Sequence, residues 1–187
     1  MHISKFLYNR DCSAETNVFV DINEAPCLDW KISLPSNPSY AVETMAVWDK
    51  KGNLYLGCHN GNFYSICENG SIRFSFQTNF KIFSTPLVFD NYVFFCSGDG
   101  FVYCLSCEGV LLWKKKVSSS KLVDHKKSIF EKTCSKLNFK VPKKSIGTIR
   151  TWASLNIDFL NRLFITTAEE GLVVLSIEGH ILKKIPL

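Results

Sequence analysis

Three stretches of the chain share one pattern of apolar and polar positions. Each is a strand-like apolar run, a glycine turn, a second apolar run and another glycine. The first passes from Gly52 through Gly61 to Gly70, the second from Asn91 through Gly100 to Gly109, and the third from Arg162 through Gly171 to Gly179. Val, Ile, Leu, Phe and Tyr fill the runs, as pleated and half-buried surfaces favour. Asn60 and Asp99 precede turn glycines, where short polar residues and Gly suit the positive-φ backbone of tight hairpins. A repeat of this kind fixes architecture before any local motif does.

Gly61 and Gly100 are 39 residues apart, as are Gly70 and Gly109. Gly100 and Gly171 are 71 apart and Gly109 and Gly179 are 70 apart, so the third unit contains an insert and is expected to lack one residue between its glycines. Each unit reads as four strands. Unit one uses Ala41 to Trp48, Leu54 to Cys58, Asn62 to Cys67 and Ile72 to Phe76. Unit two uses Phe83 to Phe89, Tyr92 to Cys96, Phe101 to Ser106 and Val110 to Lys116. Unit three uses Trp152 to Ile157, Leu163 to Thr166, Leu172 to Ile177 and Ile181 to Ile185. Asp29 to Leu34 matches the outer strand around Trp113 and reads as the last strand of a preceding unit.

The fold expected is all-β, a partial propeller of three four-stranded blades plus one extra strand, spanning 29–187 after an N-terminal segment 1–28. A closed ring needs roughly four to eight blades. The chain is then a piece of a longer propeller, or copies close a ring, or residues 1–28 hold a degenerate blade around Asn17 to Ile22. Open blade ends expose apolar faces and unpaired edges, so self-association through those edges is expected.

Several runs carry a family resemblance. Gly61-Asn-Phe-Tyr, Gly70-Ser-Ile-Arg-Phe-Ser-Phe76, Ile82-Phe-Ser-Thr-Pro86, Phe101-Val-Tyr-Cys-Leu105 and Gly109-Val-Leu-Leu-Trp113 resemble the pyrroloquinoline-quinone-like (PQQ-like) β-propeller repeat. Within that class they are most similar to the appended C-terminal propeller of β-alanine-activating enzymes of the acyl-CoA synthetase family. The resemblance covers residues 29–117 well and 150–187 more weakly. It implies a propeller appended to adenylation and carrier modules, and the sequence motifs of those modules are not in this chain. Quinoprotein dehydrogenases of the same class are similar to larger closed propellers with an adjacent cysteine pair and a calcium site of Glu, Asn and Asp. No two cysteines are adjacent here, so quinone catalysis is not expected.

Composition adds a compartment. No apolar run at the N-terminus suits a signal peptide, and none approaches the ~18 residues of a membrane helix. A cytoplasmic location is expected, with the eight cysteines as thiols. Cys104 and Cys107 form a lone C-x-x-C, but residues three apart on a strand point to opposite faces. Zinc normally takes four ligands, so no metal is expected there. The four histidines, His2, His59, His125 and His180, are scattered and read as turn or surface residues. No catalytic motif stands out, and no cofactor is expected.

Charge singles out the insert at 118–148. Lys114 to Arg150 contains twelve Lys or Arg and two acids, a balance of +10 in a chain whose total is +5. The remainder therefore sums to −5. Leu122, Ile129, Phe130, Cys134 and Leu137 fall near helical spacing, which predicts one helix from about Lys121 to Leu137, ended before Pro142. Alternating strand direction puts the insert on the same rim as His59, Asn60 and Asp99. These three, with Lys126, Lys127, Lys143 and Lys144, are the candidate interaction residues. The function expected is a non-catalytic scaffold that binds another protein or macromolecule, with an acidic partner at the insert. The alternative is an accessory propeller segment of a multidomain adenylating or carrier-type enzyme.

Overall fold

The computed structural model describes residues 3–4, 30–34, 42, 44–118, 154–167 and 170–186. They form thirteen strands and no helix. Blade 1 is β2 (Val47–Trp48), β3 (Leu54–Gly57), β4 (Asn62–Ile66) and β5 (Ile72–Gln77). Blade 2 is β6 (Leu87–Phe89), β7 (Tyr92–Cys96), β8 (Phe101–Ser106) and β9 (Leu111–Lys116). Blade 3 is β10 (Asn156–Ile157), β11 (Arg162–Thr167), β12 (Gly171–Ser176) and β13 (Ile181–Ile185). Within each blade the strands pair antiparallel in chain order. The fold is a partial β-propeller. The short strand β1 (Ile3–Ser4) pairs with the free edge of β6, so the sheet of blade 2 has five strands.

Each third strand carries a register shift at the same place, between Ser65 and Ile66, Cys104 and Leu105, and Val174 and Leu175. A bulge bends the strand and increases its twist. The first strands of blades 1 and 2 are shorter than the apolar runs suggest, because side chains take over their ladder. Thr44 Oγ1 donates to Gly57 O at 2.9 Å and accepts from Gly57 N at 3.1 Å. Ser84 Oγ likewise donates to Cys96 O at 2.9 Å and accepts from Cys96 N at 2.8 Å.

The pairing corrects the expected deletion in unit three. Val173 lies opposite Ile165 as Tyr103 lies opposite Phe95, a constant offset of 70 residues. Glu170 therefore occupies the place of Gly100, and Gly171 stands one position later, opposite Thr167. No residue is missing; the turn glycine has moved.

The core is layered between blades. Val47, Tyr55 and Phe63 of blade 1 meet Val88, Phe95 and Tyr103 of blade 2. Phe94, Val102 and Cys104 on the opposite face of blade 2 meet Leu163, Ile165 and Val173 of blade 3. Phe63 and Phe95 stack at 4.1 Å between ring centroids, and Phe95 and Tyr103 at 5.2 Å. Such ring pairs contribute about 0.5–1.5 kcal/mol beyond area burial.

Apolar sheet faces are non-directional, so something else must set the seating of one blade on the next. An aromatic ring on a glycine does this. The Phe74 ring of β5 covers Gly109, in the outer turn of blade 2, so closely that a Cβ added there would lie 2.7 Å from the ring. The Trp113 ring of β9 covers Gly179 of blade 3 in the same way, at 2.8 Å. Both glycines have positive φ, 87° and 85°. Phe74 stands opposite Ser65 and Trp113 opposite Cys104, so the two rings hold equivalent register positions.

The expected extra strand takes a different form. Residues 30–34 belong to no sheet among the described residues. They nevertheless pack as an outer strand would. Trp30, Ile32 and Leu34 cover Leu56, Cys58, Tyr64 and Ile66, the face of blade 1 turned away from blade 2. The Trp30 ring covers Gly70, where an added Cβ would lie 2.9 Å away. This end of the array, expected to be bare, is closed by the chain itself.

The socket glycines are separable from glycines that only serve their own turn. At Gly52, φ is 78° but the nearest atom to an added Cβ is the flexible Glu68 carboxylate at 3.5 Å. Gly52→Ala should cost about 1–2 kcal/mol for its left-handed backbone. Gly109→Ala should cost that plus about 1–3 kcal/mol for displacing the Phe74 ring. Urea unfolding of the two variants measures the difference, and equal losses would mean that the ring does not depend on the socket.

Candidate functional site

The turns gather at two rims. One carries the turns between first and second strands and those between third and fourth. The other carries the turns between second and third strands and the links from blade to blade.

On the first rim lies a built polar cluster between blades 1 and 2. Asp49 opens the turn before β3. Its Oδ1 accepts from Lys51 N at 2.8 Å and Asn53 N at 3.0 Å, and its Oδ2 accepts from Asn53 Nδ2 and the Tyr55 hydroxyl, each at 2.9 Å. Arg73 reaches in from β5. Its Nη1 donates to Ser65 Oγ at 3.1 Å, to the Tyr55 hydroxyl oxygen at 3.3 Å and to Cys107 O at 3.1 Å. Its Nη2 meets Glu108 Oε2 at 2.8 Å.

The position of Cys107 O explains the cluster. It is two residues before the socket glycine Gly109, as Ile177 O is two before Gly179. At the second socket the Trp113 indole Nε1–H donates to Ile177 O at 2.9 Å. Phe74 has no such donor. Arg73, one residue before Phe74, supplies the bond instead, with the Tyr55 hydroxyl 3.2 Å from the same carbonyl.

Asp49, Tyr55 and Arg73 are each shifted away from neutrality. Burial would raise the Asp49 carboxyl, but hydrogen bonds from Asn53, Tyr55 and Lys51 outweigh it and leave its pKa below the ordinary 3.8. Burial, then Cys107 and Asp49, push the Tyr55 phenol well above its ordinary 10. Burial works against the Arg73 charge, but Tyr55, Glu108 and Asp49 more than offset it and its pKa rises. A permanent cation, an ionised carboxylate and a protonated phenol satisfy one another here. The arrangement holds the Cys107 carbonyl in place.

The second rim holds the described candidates from the sequence. Asn60 Oδ1 accepts from Asn62 N at 2.9 Å, and its Nδ2 donates to the Tyr64 hydroxyl at 2.8 Å. Asp99 repeats the device, accepting from Phe101 N at 3.1 Å and from the Tyr103 hydroxyl at 2.6 Å. His59 shares the rim, but it is buried rather than exposed, with its ring 4.4 Å from that of Phe83. The structure thus brings His59, Asn60 and Asp99 to one rim; Asn60 and Asp99 each brace their own turn, while His59 packs on Phe83. Lys126, Lys127, Lys143, Lys144 and the expected helix lie outside the described residues.

The C-x-x-C pair divides as strand geometry requires. Cys104 is buried between blades 2 and 3, whereas Cys107 packs toward blade 1. Burial, then the neighbouring Cys107, push the Cys104 thiol up to about 12. Among the described residues, no group of three or more His, Cys, Asp or Glu is placed to hold a metal.

A feature not foreseen from the sequence is the tip between β10 and β11. Phe159 is 77% exposed and Leu160 59%. The tip is rigid: Asp158 Oδ1 accepts from Leu160 N at 3.0 Å and Arg162 N at 2.9 Å, and Asp158 Oδ2 accepts from Arg162 Nε at 2.7 Å. The Asp49 turn of blade 1 is tied in the same way but displays Lys50 and Lys51.

Comparison with known proteins agrees with the geometry at the level of fold. No protein-family model matches the chain, and no curated protein sequence matches it. Solved structures do. A quinohemoprotein alcohol dehydrogenase, ADHIIG of Pseudomonas putida HK5, superposes with a TM-score of 0.51 at 16% identity, over 72% of this chain and 25% of the enzyme. The computationally designed Ika4 protein gives 0.53 at 16% identity, over 82% of this chain and 76% of its own. The Neurospora crassa Pan2 WD40 domain gives 0.52 at 15% identity, over 82% and 41%. The chain thus spans a quarter of the dehydrogenase. The likeness is one of fold, a partial propeller of the PQQ-like kind that the repeat resembles.

The carbonyl latch is open to test by exchange. Blade 2 has Leu112 at the position of Arg73 and Trp113 at that of Phe74. Arg73→Leu should cost about 1–3 kcal/mol by removing the charged donor from a part-buried carbonyl and leaving it the Tyr55 hydroxyl alone. Adding Phe74→Trp should restore most of that loss in chemical unfolding. A double variant no more stable than Arg73→Leu would show that the indole and the guanidinium are not interchangeable.

Proposed function

We propose that the chain is a non-catalytic β-propeller scaffold that docks another protein through its first rim, with Phe159 and Leu160 as the anchor. The observation that carries this reading is the pair of apolar side chains on a turn that does not need them. The Asp49 turn makes the same backbone bonds with two lysines at its tip, so folding does not dictate the apolar choice. A rigid, pre-shaped tip loses little entropy on binding, which favours its use as an anchor. The twelve basic residues of the Lys114 to Arg150 stretch, expected on the opposite rim, offer a separate positive surface that suits an acidic partner. A cytoplasmic setting fits the thiols of the five described cysteines.

A second reading is an accessory propeller segment of a multidomain adenylating or carrier-type enzyme, of the β-alanine-activating kind. The run Gly109 to Trp113 favours it through the family resemblance. It requires the encoding frame to continue into adenylation and carrier modules.

Replacing both tip residues, Phe159→Ser with Leu160→Ser, tests the scaffold reading. The melting temperature should shift by no more than about 2 °C, as for other surface changes. Proteins captured stoichiometrically by the unmodified chain should be lost. Equal capture by the variant would place the binding surface elsewhere.

A further inference from the structure

The two ends of the blade array are not alike: one repeats the junctions within it and the other does not. Inside the array, each blade offers a ring from its outer strand and receives a ring on its turn glycine. At the blade 1 end the receiving glycine, Gly70, is already taken. Trp30 sits on it through Cδ2, Cε3 and Cγ, at 2.9, 3.0 and 3.2 Å from the position of an added Cβ. Trp113 covers Gly179 through Cδ2 and Cε3 as well. The spacing also agrees. Ile32 follows Trp30 by two positions, as Phe76 follows Phe74, and both pack on the apolar face of the blade they serve.

At the blade 3 end the offered ring is missing. Lys183 stands opposite Val174, the register position that Trp113 holds opposite Cys104 and Phe74 opposite Ser65. All five residues of β13 are exposed. Two more positions on that face have changed in the same sense. Asn156 pairs with Phe164 where buried Leu87 pairs with Phe94, and Thr166 pairs with Leu172 where buried Cys96 pairs with Val102. Asn156 and Thr166 are both exposed. Polar outer faces on terminal units are how stacked repeats avoid endless growth.

We propose that the Trp30–Leu34 strap and the Asn156, Thr166 and Lys183 face form a two-ended assembly block. The strap fills the socket through which blade 1 would receive a preceding blade. The three polar positions, set beside Phe164, Leu172 and Val174 on that face, remove the key by which blade 3 would seat a following one. Copies of the chain therefore do not stack blade 3 onto blade 1, although each junction within the chain is of that type.

The test restores the missing key and opens the filled socket. Sedimentation velocity is run on the full chain, on Lys183→Trp, on Trp30→Ala with Lys183→Trp, and on that double variant with Gly70→Ala. The unmodified chain and Lys183→Trp should both sediment as monomers across the accessible concentration range. The double variant should shift to dimers and longer species with rising concentration. Gly70→Ala should abolish that shift, since a Cβ there obstructs an incoming ring as it obstructs Trp30. Circular dichroism establishes that each variant retains its β-sheet. If Trp30→Ala does not fold, Lys183→Trp still decides: its assembly with the strap intact overturns the block. A folded double variant that stays monomeric overturns it too, as does head-to-tail association of the unmodified chain.

Discussion

An aromatic ring lying flat on a glycine is the interaction on which this molecule depends. Each blade is a twisted sheet with two apolar faces, and burial alone would let neighbouring sheets slide. The ring prevents this because it fits only where the opposing turn has no side chain. Gly70, Gly109 and Gly179 supply that space under Trp30, Phe74 and Trp113. The positive φ of each socket makes glycine the low-cost residue there for a second, independent reason. Turn geometry and blade seating are thus set by the same three positions.

A ring over a turn also buries a carbonyl, and a buried carbonyl requires a donor. The chain meets this need in two chemical ways. Trp113 carries its own donor in the indole ring. Phe74 does not, and the guanidinium of the adjacent Arg73 takes the role, held by Tyr55, Ser65 and Glu108. The cluster therefore looks like an active site in composition, yet its Asp49, Tyr55 and Arg73 are shifted away from neutrality. Among the described residues the most exposed large apolar side chains are those of Phe159, Val110 and Leu160.

Much of the fold was legible in the glycine spacing and the β-rich runs. The second, third and fourth strands of each blade fall within two residues of the runs read from sequence, because Gly, Asn and Asp terminate them sharply. The first strands were over-read: the apolar pattern continues past Thr44 and Ser84, whose hydroxyls replace the ladder. Counting by glycines misplaced Gly171 by one position, since a glycine can move within a turn while strand register stays fixed. The packing of Trp30 followed from its likeness to Trp113. Arg73 was the clearest omission. Its signal was present in the pair Arg73-Phe74 standing where Leu112-Trp113 stands one repeat later, a lost donor beside a gained one. The burial of His59 against Phe83 carried no sequence signal, because residues so far apart on different elements meet only in the fold.

The central claim is that rings on glycines join the blades into one cooperative body. Differential scanning calorimetry of the unmodified chain beside Trp113→Ala tests it most directly. The account predicts one transition for the unmodified chain, with equal calorimetric and van't Hoff enthalpies, and two resolved transitions for the variant as blade 3 melts apart from blades 1 and 2. A Trp113→Ala chain that still melted in one two-state step, merely at lower temperature, would contradict it.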